Sequence, residues 1–248
     1  TRQYQVNGST YKVESCSVFK NHLVLIETAV NPAAHSDRNY TFQEIIDIVL
    51  KHMVDYDFWC GRNQFSIDFT PKPAISIRRT WNYDRDPESA NKNPLDTTSY
   101  GHNIELIWLL NRAYEVLGLP SAREFTRKFA DYTLANGWDN IHGGIYRDGM
   151  HDGRIVVTDK EWWQNFESLT GFLDSYQATE DERYLDTFIK LWEFDKKYFY
   201  NPEVGESRQL LLADGTPVID DTGNQWKCIY HRFAHAGGIS GTAYQRSG

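Results

Sequence analysis

His102 and Glu105 stand three residues apart in the stretch Ser99-Tyr100-Gly101-His102-Asn103-Ile104-Glu105-Leu106-Ile107-Trp108. On a helix, residues at that spacing share a face. A carboxylate beside an imidazole orients it and stabilises its protonated form, and the pair can then move protons near neutral pH. The bland alternative is a helix-start histidine that caps the helix or faces solvent. Against it stands the apolarity of the rest of the helix, where a polar group needs a reason to be present. A second cluster, Lys160-Glu161-Trp162-Trp163-Gln164-Asn165-Phe166-Glu167, sets Trp163 four residues before Glu167. An indole and a carboxylate on one helical face can hold a sugar ring by stacking and hydrogen bonding; core tryptophans on an amphipathic helix give the same pattern. The third cluster, Gln225-Trp226-Lys227-Cys228-Ile229-Tyr230-His231, ends on a histidine that follows a turn-rich segment and is expected to open a helix. Taken alone, such a histidine is more often structural.

These clusters need elements to carry them. Thr41/Glu44, Ser121/Glu124, Thr158/Glu161 and Thr179/Glu182 each match the capping box, in which a hydroxyl and a carboxylate three residues on satisfy exposed helix-start N–H groups. Long apolar-periodic runs follow them. Helices are expected over Val18–Val30, Thr41–Phe58, Gly101–Leu117, Ser121–Asn136, Lys160–Ala178 and Asp181–Phe199, with a seventh beginning near His231. The run ELIWLLNRAYEVL is apolar on most sides, which assigns the third helix to a buried layer. Short joints (Gly118-Leu119-Pro120, Thr179-Glu180) alternate with long ones. The long ones (QFSIDFTPKPAISI, GGIYRDGMHDGRIVV, ESRQLLLADGTPVID) read as small β-hairpins, with Asp214-Gly215 as a turn. Each long connection follows the second helix of a pair, so the long loops collect on one face, where a site would sit. The expected fold is all-α: an α/α barrel or array of helical hairpins with short β-hairpin loops on one face, forming a single domain over 1–248. The Gly- and Ser-rich stretch 234–248 is expected to be an irregular tail.

Bulk properties exclude several function classes. The chain has 248 residues and a net charge of -8, and its Lys and Arg form no stripe, which argues against a nucleic-acid partner. No apolar run approaches the roughly 20 residues needed to span a bilayer. Cys16, Cys60 and Cys228 show no paired metal spacing and read as reduced thiols of a cytoplasmic protein, with no metal site expected. The aromatic share is 15%. That surplus serves either a core or the apolar faces of sugars.

In order and spacing, GHNIE with Trp108-Leu109-Leu110, then KEWW with Glu167, then WKCIYH resemble the N-acylglucosamine 2-epimerase and cellobiose 2-epimerase superfamily. The resemblance implies an (α/α)6 barrel, no cofactor, and inversion at C2 of an aldose or of an oligosaccharide reducing end, or an aldose–ketose shift. One histidine would remove the C2 proton from the opened sugar, giving a cis-enediol(ate), and another would return a proton to the opposite face. His102 and His231 match the acid/base pair, Glu105 and Glu167 the carboxylates beside them, and Trp108, Trp163, Tyr100 and His22 the sugar pocket. Val24 stands where cellobiose epimerases carry a second histidine after His22, which leaves the substrate open among the family's sugars. The chain supplies only part of the ring, and an incomplete ring leaves apolar edges exposed. It is therefore expected to be marginal, to aggregate, or to pair with a second copy as a homodimer. Alternatives are a glycoside hydrolase using Glu105 and Glu167 as its carboxylate pair, or an inactive carbohydrate-binding relative.

Overall fold

The computed structural model describes residues 2–6, 9–13, 15–16, 42–63, 65–66, 68–72, 97–224 and 227. The helices expected over Val18–Val30 and from His231, the residues His22 and His231, and the tail 234–248 lie outside them.

Strands β1 (Arg2–Val6) and β2 (Ser9–Val13) pair antiparallel, and β3 (Ser15–Cys16) pairs with β6 (Phe65–Ser66). Helix α1 (Phe42–Ile48) widens into a π-helical turn, Val49–Met53, and the chain then reverses through β4 (Val54–Asp55) and β5 (Cys60–Gly61). The helix expected to run to Phe58 thus stops early. Trp59 takes a left-handed φ of 61°. The buried Asp55 carboxylate accepts from Arg62 at 2.6 Å and bonds His151 Nδ1 at 2.8 Å, tying the reversal to the segment after α3. These distant partners override an apolar run that by itself continues the helical period.

Strand β7 (Thr97–Ser99) runs directly into α2 (Tyr100–Leu117). Ser99 caps that helix, its Oγ accepting from the His102 backbone N–H. Gly118, at φ 64°, ends it and donates its N–H to the last carbonyls. Helix α3 (Arg123–Gly137) returns antiparallel. The hairpin β8 (Asp148–Met150) and β9 (Ile155–Val157) then adds to β7 in the order β7-β8-β9. The plan repeats. Strand β10 (Lys160–Glu161) runs into α4 (Trp162–Thr179), α5 (Glu182–Phe194) returns, and a π-helical turn Asp195–Phe199 follows. A small hairpin, β11 (Tyr200–Asn201) and β12 (Glu206–Ser207), comes next. Strands β13 (Leu210–Leu211) and β14 (Pro217–Ile219) complete the sheet β10-β13-β14. Gly215, at φ 89°, makes the expected turn between them.

Helices α2 and α4 lie side by side as an inner layer; α3 packs on both and α5 on α4. Composition explains the layering. Helix α2 buries residues around most of its circumference. Helix α5 buries the single stripe Tyr184, Thr187, Leu191 and Phe194 and turns its charges outward. Helix α4 buries hydroxyls as well, and Ser168, Ser175 and Thr179 satisfy theirs on the carbonyl four residues earlier.

The capping boxes located the helices but not their caps. Helix α3 begins at Arg123, two residues after Ser121, with no side-chain cap. Helix α4 begins at Trp162 with Glu161, not Thr158, at its cap position. Asp181 caps α5, while the Thr179 hydroxyl turns back to the Ser175 carbonyl. Among the described residues no helix is long and apolar enough to cross a membrane.

Candidate active site

Because β7 and β10 feed α2 and α4, and the long loops after α3 and α5 pair with those strands, the N-terminal ends of the two inner helices meet on one face. Gly101 lets them touch: a Cβ there would run into the Gln164 side chain of α4. A second close approach lies deeper, where a Cβ at Gly171 would meet the Ile104 carbonyl at 2.6 Å. This crossing brings His102 onto Trp163, with ring centroids 4.7 Å apart and planes inclined by 43°. His102 itself is half-buried.

Glu105 and Glu167 are both buried one turn deeper. Glu167 Oε2 accepts from Trp108 Nε1–H at 2.9 Å. Burial pushes the Glu167 carboxyl up to about 8, against the Trp108 bond, so it keeps its proton near neutral pH. The indole on Glu167 comes from α2, and the Trp163 Nε1–H donates backwards to Glu161 Oε2 at 2.9 Å. Trp163 and Glu167 stand four residues apart on α4, and the indole that donates to Glu167 comes from the neighbouring helix.

Tyr100 does not reach the site surface. It is fully buried, its ring lying where Cβ atoms on Gly137 or Gly149 would stand, and its hydroxyl has no hydrogen-bond partner among the described residues. Asn103, inside the GHNIE motif, is also structural: its Oδ1 accepts from the Gly61 N–H at 2.8 Å and its Nδ2 donates to Thr98 Oγ1 at 2.9 Å. The two motif lysines are clamps. Lys160 is buried on Asp139 at 2.8 Å and on the Ala213 carbonyl, while Lys227 donates to the Ser207 and Asp221 carbonyls and lies over the Trp162 ring. Burial would raise the Asp139 carboxyl, but Lys160 and the Ile141 and His142 N–H groups hold it down at about 2.

Sequence reasoning missed the layer behind the site. Arg147, buried in the loop before β8, reaches Glu161 Oε2 at 3.6 Å and Asp148 Oδ2 at 3.8 Å. Burial pushes the Asp148 carboxyl up to about 7; Arg147 opposes this and Glu161 adds to it. Gln164 Nε2 donates to Ser99 Oγ at 2.9 Å and to the Arg147 carbonyl at 3.1 Å. The available signal was a serine three residues before His102, in N-cap position. Nothing in the local sequence marks Arg147. Among the described residues no group of three or more His, Cys, Asp or Glu could hold a metal ion.

A half-buried imidazole, an indole against it, and two buried carboxyl groups one helical turn further along are thus gathered where the two inner helices meet. The model of the family described as N-acylglucosamine 2-epimerase (GlcNAc 2-epimerase) matches residues 22–235. A cellobiose 2-epimerase of Ruminococcus albus is 34% identical over 142 residues, 55% of this chain and 36% of that protein. The N-acylglucosamine 2-epimerase of Mus musculus is 29% identical over 136 residues, covering 53% and 32%. The chain thus spans about a third of the length of the curated relatives it matches. The solved cellobiose 2-epimerase of Bacillus thermoamylovorans B4167 has a similar fold, with a TM-score of 0.70 at 21% identity, over 92% of this chain and 53% of that one.

Proposed function

The chain belongs to the N-acylglucosamine 2-epimerase family, and from that premise we propose that it contributes the acid/base half of a sugar 2-epimerase site. The reading is carried by the His102 imidazole held against Trp163 above the buried Glu105 and Glu167, where α2 and α4 meet. In this reading the described helices are part of an (α/α)6 ring. The substrate is an aldose, or the reducing end of an oligosaccharide, of the N-acylglucosamine, cellobiose or mannose type.

The C2 proton of the opened sugar is weakly acidic, so a positioned base must act while the developing oxyanion is stabilised. His102 is one acid/base group and His231 the other, on opposite faces of a planar cis-enediol(ate). Lys227, four residues before His231, is anchored over Trp162 at the start of α4. Glu167, protonated near neutral pH, is a donor for the enediolate oxygen, with Trp108 fixing its orientation. Trp163 and Trp108 offer apolar wall to the sugar ring. Tyr100 supports the wall from behind, and His22 is assigned to the same pocket by resemblance.

The test is deuterium uptake at C2 when glucose, mannose, their N-acetyl forms and β-1,4 disaccharides are incubated with the chain in heavy water. Uptake with at least one sugar is expected, abolished in His102→Ala and in His231→Ala. Release of reducing sugar from a glycan, or calorimetric sugar binding with no exchange, would overturn the proposal in favour of a hydrolase or a binding module.

A further inference from the structure

We propose that Glu161, backed by Arg147, is a positioning residue that holds the Trp163 indole against the His102 imidazole. The Trp163 N–H bond to Glu161 Oε2 fixes which way the ring turns, and the ring so fixed is the one lying 4.7 Å from His102. Neither end of the link can drift. Glu161 is 1% exposed and is held in β10 by its pairing with Leu210. Arg147, 2% exposed, stands 3.6 Å from the same carboxylate oxygen. Arg147 also faces Asp148, which pairs with Ser99, the residue that caps the His102 helix. The link therefore joins the two sheets that feed α2 and α4.

Turning the indole away would leave a buried carboxylate short of one donor, and a buried charge that loses a partner is costly. The ring's orientation is thus set by groups outside the pocket. A base that must meet a carbon-bound proton along one direction loses rate steeply when it is displaced. The glutamate acts through the tryptophan, without meeting the substrate.

The inference rests on reading His102 as an acid/base group, but its first test does not. The Trp163 ring current displaces the His102 ring-proton resonances, which are assigned by their loss in His102→Asn. In Glu161→Ala these resonances are expected to move toward those of free histidine, and the Trp163 indole N–H resonance to shift. Glu161→Gln is isosteric and keeps an oxygen acceptor. It should leave His102 near its native position while the weaker hydrogen bond moves the indole N–H upfield, so it remains decisive if the alanine variant does not fold. Where C2 exchange is measurable, kcat should fall about tenfold or more in Glu161→Ala and less in Glu161→Gln, with KM changing less than kcat. Native-like His102 and Trp163 resonances in a folded Glu161→Ala, or an unmoved indole N–H in Glu161→Gln, would overturn the positioning role. Absence of exchange in the native chain would sink the epimerase reading and leave the resonances to decide this one.

Discussion

Trp108 and Glu167 show how burial outweighs a hydrogen bond across two helices in setting the state of an acid. The Trp108 N–H bond favours the ionised carboxylate, while burial opposes it and wins, leaving the group near 8. Trp108→Phe removes the donor and keeps most of the ring. It should raise the Glu167 value further and destabilise the fold by roughly 1–3 kcal/mol, the usual cost of stranding a buried polar group. The loss should be larger at pH 9, where Glu167 is ionised, than at pH 6, where it carries a proton. Urea denaturation at both pH values measures this, and equal losses would mean that the bond does not favour the ionised form. The spacing rules that brought Trp163 and Glu167 together were sound for one helix, and they had no means of weighing a donor from the next.

At the scale of elements, the site depends on how closely α2 and α4 approach. Gly101→Ala inserts a methyl into Gln164 of α4, and Gly171→Ala inserts one into the Ile104 backbone. Each should cost about 1–3 kcal/mol, as overpacking does. Gly101→Ala should also disturb the His102–Trp163 contact, because it spreads the helices beside that pair; Gly171→Ala acts lower down. Thermal melts give the stabilities, and the His102 ring-proton shifts separate the two variants. A third element-scale prediction concerns the end of α4. Glu180 takes φ 60° there, donating its N–H to the Tyr176 carbonyl at 2.7 Å. A side chain in that conformation costs roughly 1–2 kcal/mol, which glycine avoids. Glu180→Gly should therefore raise the melting temperature, and an unchanged or lower value would show that the turn favours Glu180 for other reasons.

At the scale of the whole molecule, its buried carboxyl groups govern stability against pH. Glu167 rises from 4.5 to about 8 and Asp148 from 3.8 to about 7 on folding. Groups raised this way hold their protons more tightly when folded. Their contribution is complete below the unfolded values and is lost as pH climbs through the folded ones. Asp139 runs the other way: lowered from 3.8 to about 2, it contributes above its unfolded value and loses that contribution as pH falls. Stability should therefore peak near about pH 4 to 5 and decline toward pH 9. A melting series from pH 3 to 9 tests this, and Glu167→Gln should flatten the alkaline decline. A series that rises steadily to pH 8 would contradict the burial of these groups.

What the sequence determined by itself was local and periodic. Capping residues and 3.6-residue patterning placed α2, α3, α4 and α5 within two residues at every end except the close of α5, where the chain widens into a π-helical turn at Asp195. Gly118 and Asp214-Gly215 announced their turns, because left-handed and hairpin conformations select a few residue types. The alternation of short and long joints marked the connections that pair as small hairpins and sheets at the starts of α2 and α4. The motif order carried the family, since GHNIE, KEWW and WKCIYH are contiguous and legible in any one chain. Tertiary structure decided everything that depends on which element lies next to which. It gave Glu167 its indole from Trp108 and Trp163 its anchor in Glu161, drew Arg147 in behind them, and moved Tyr100 from the pocket into the packing. Hydrogen bonds and burial act over a few ångströms of space, while sequence records only distance along the chain; residues 59 apart, as Trp108 and Glu167 are, leave no local trace of their contact.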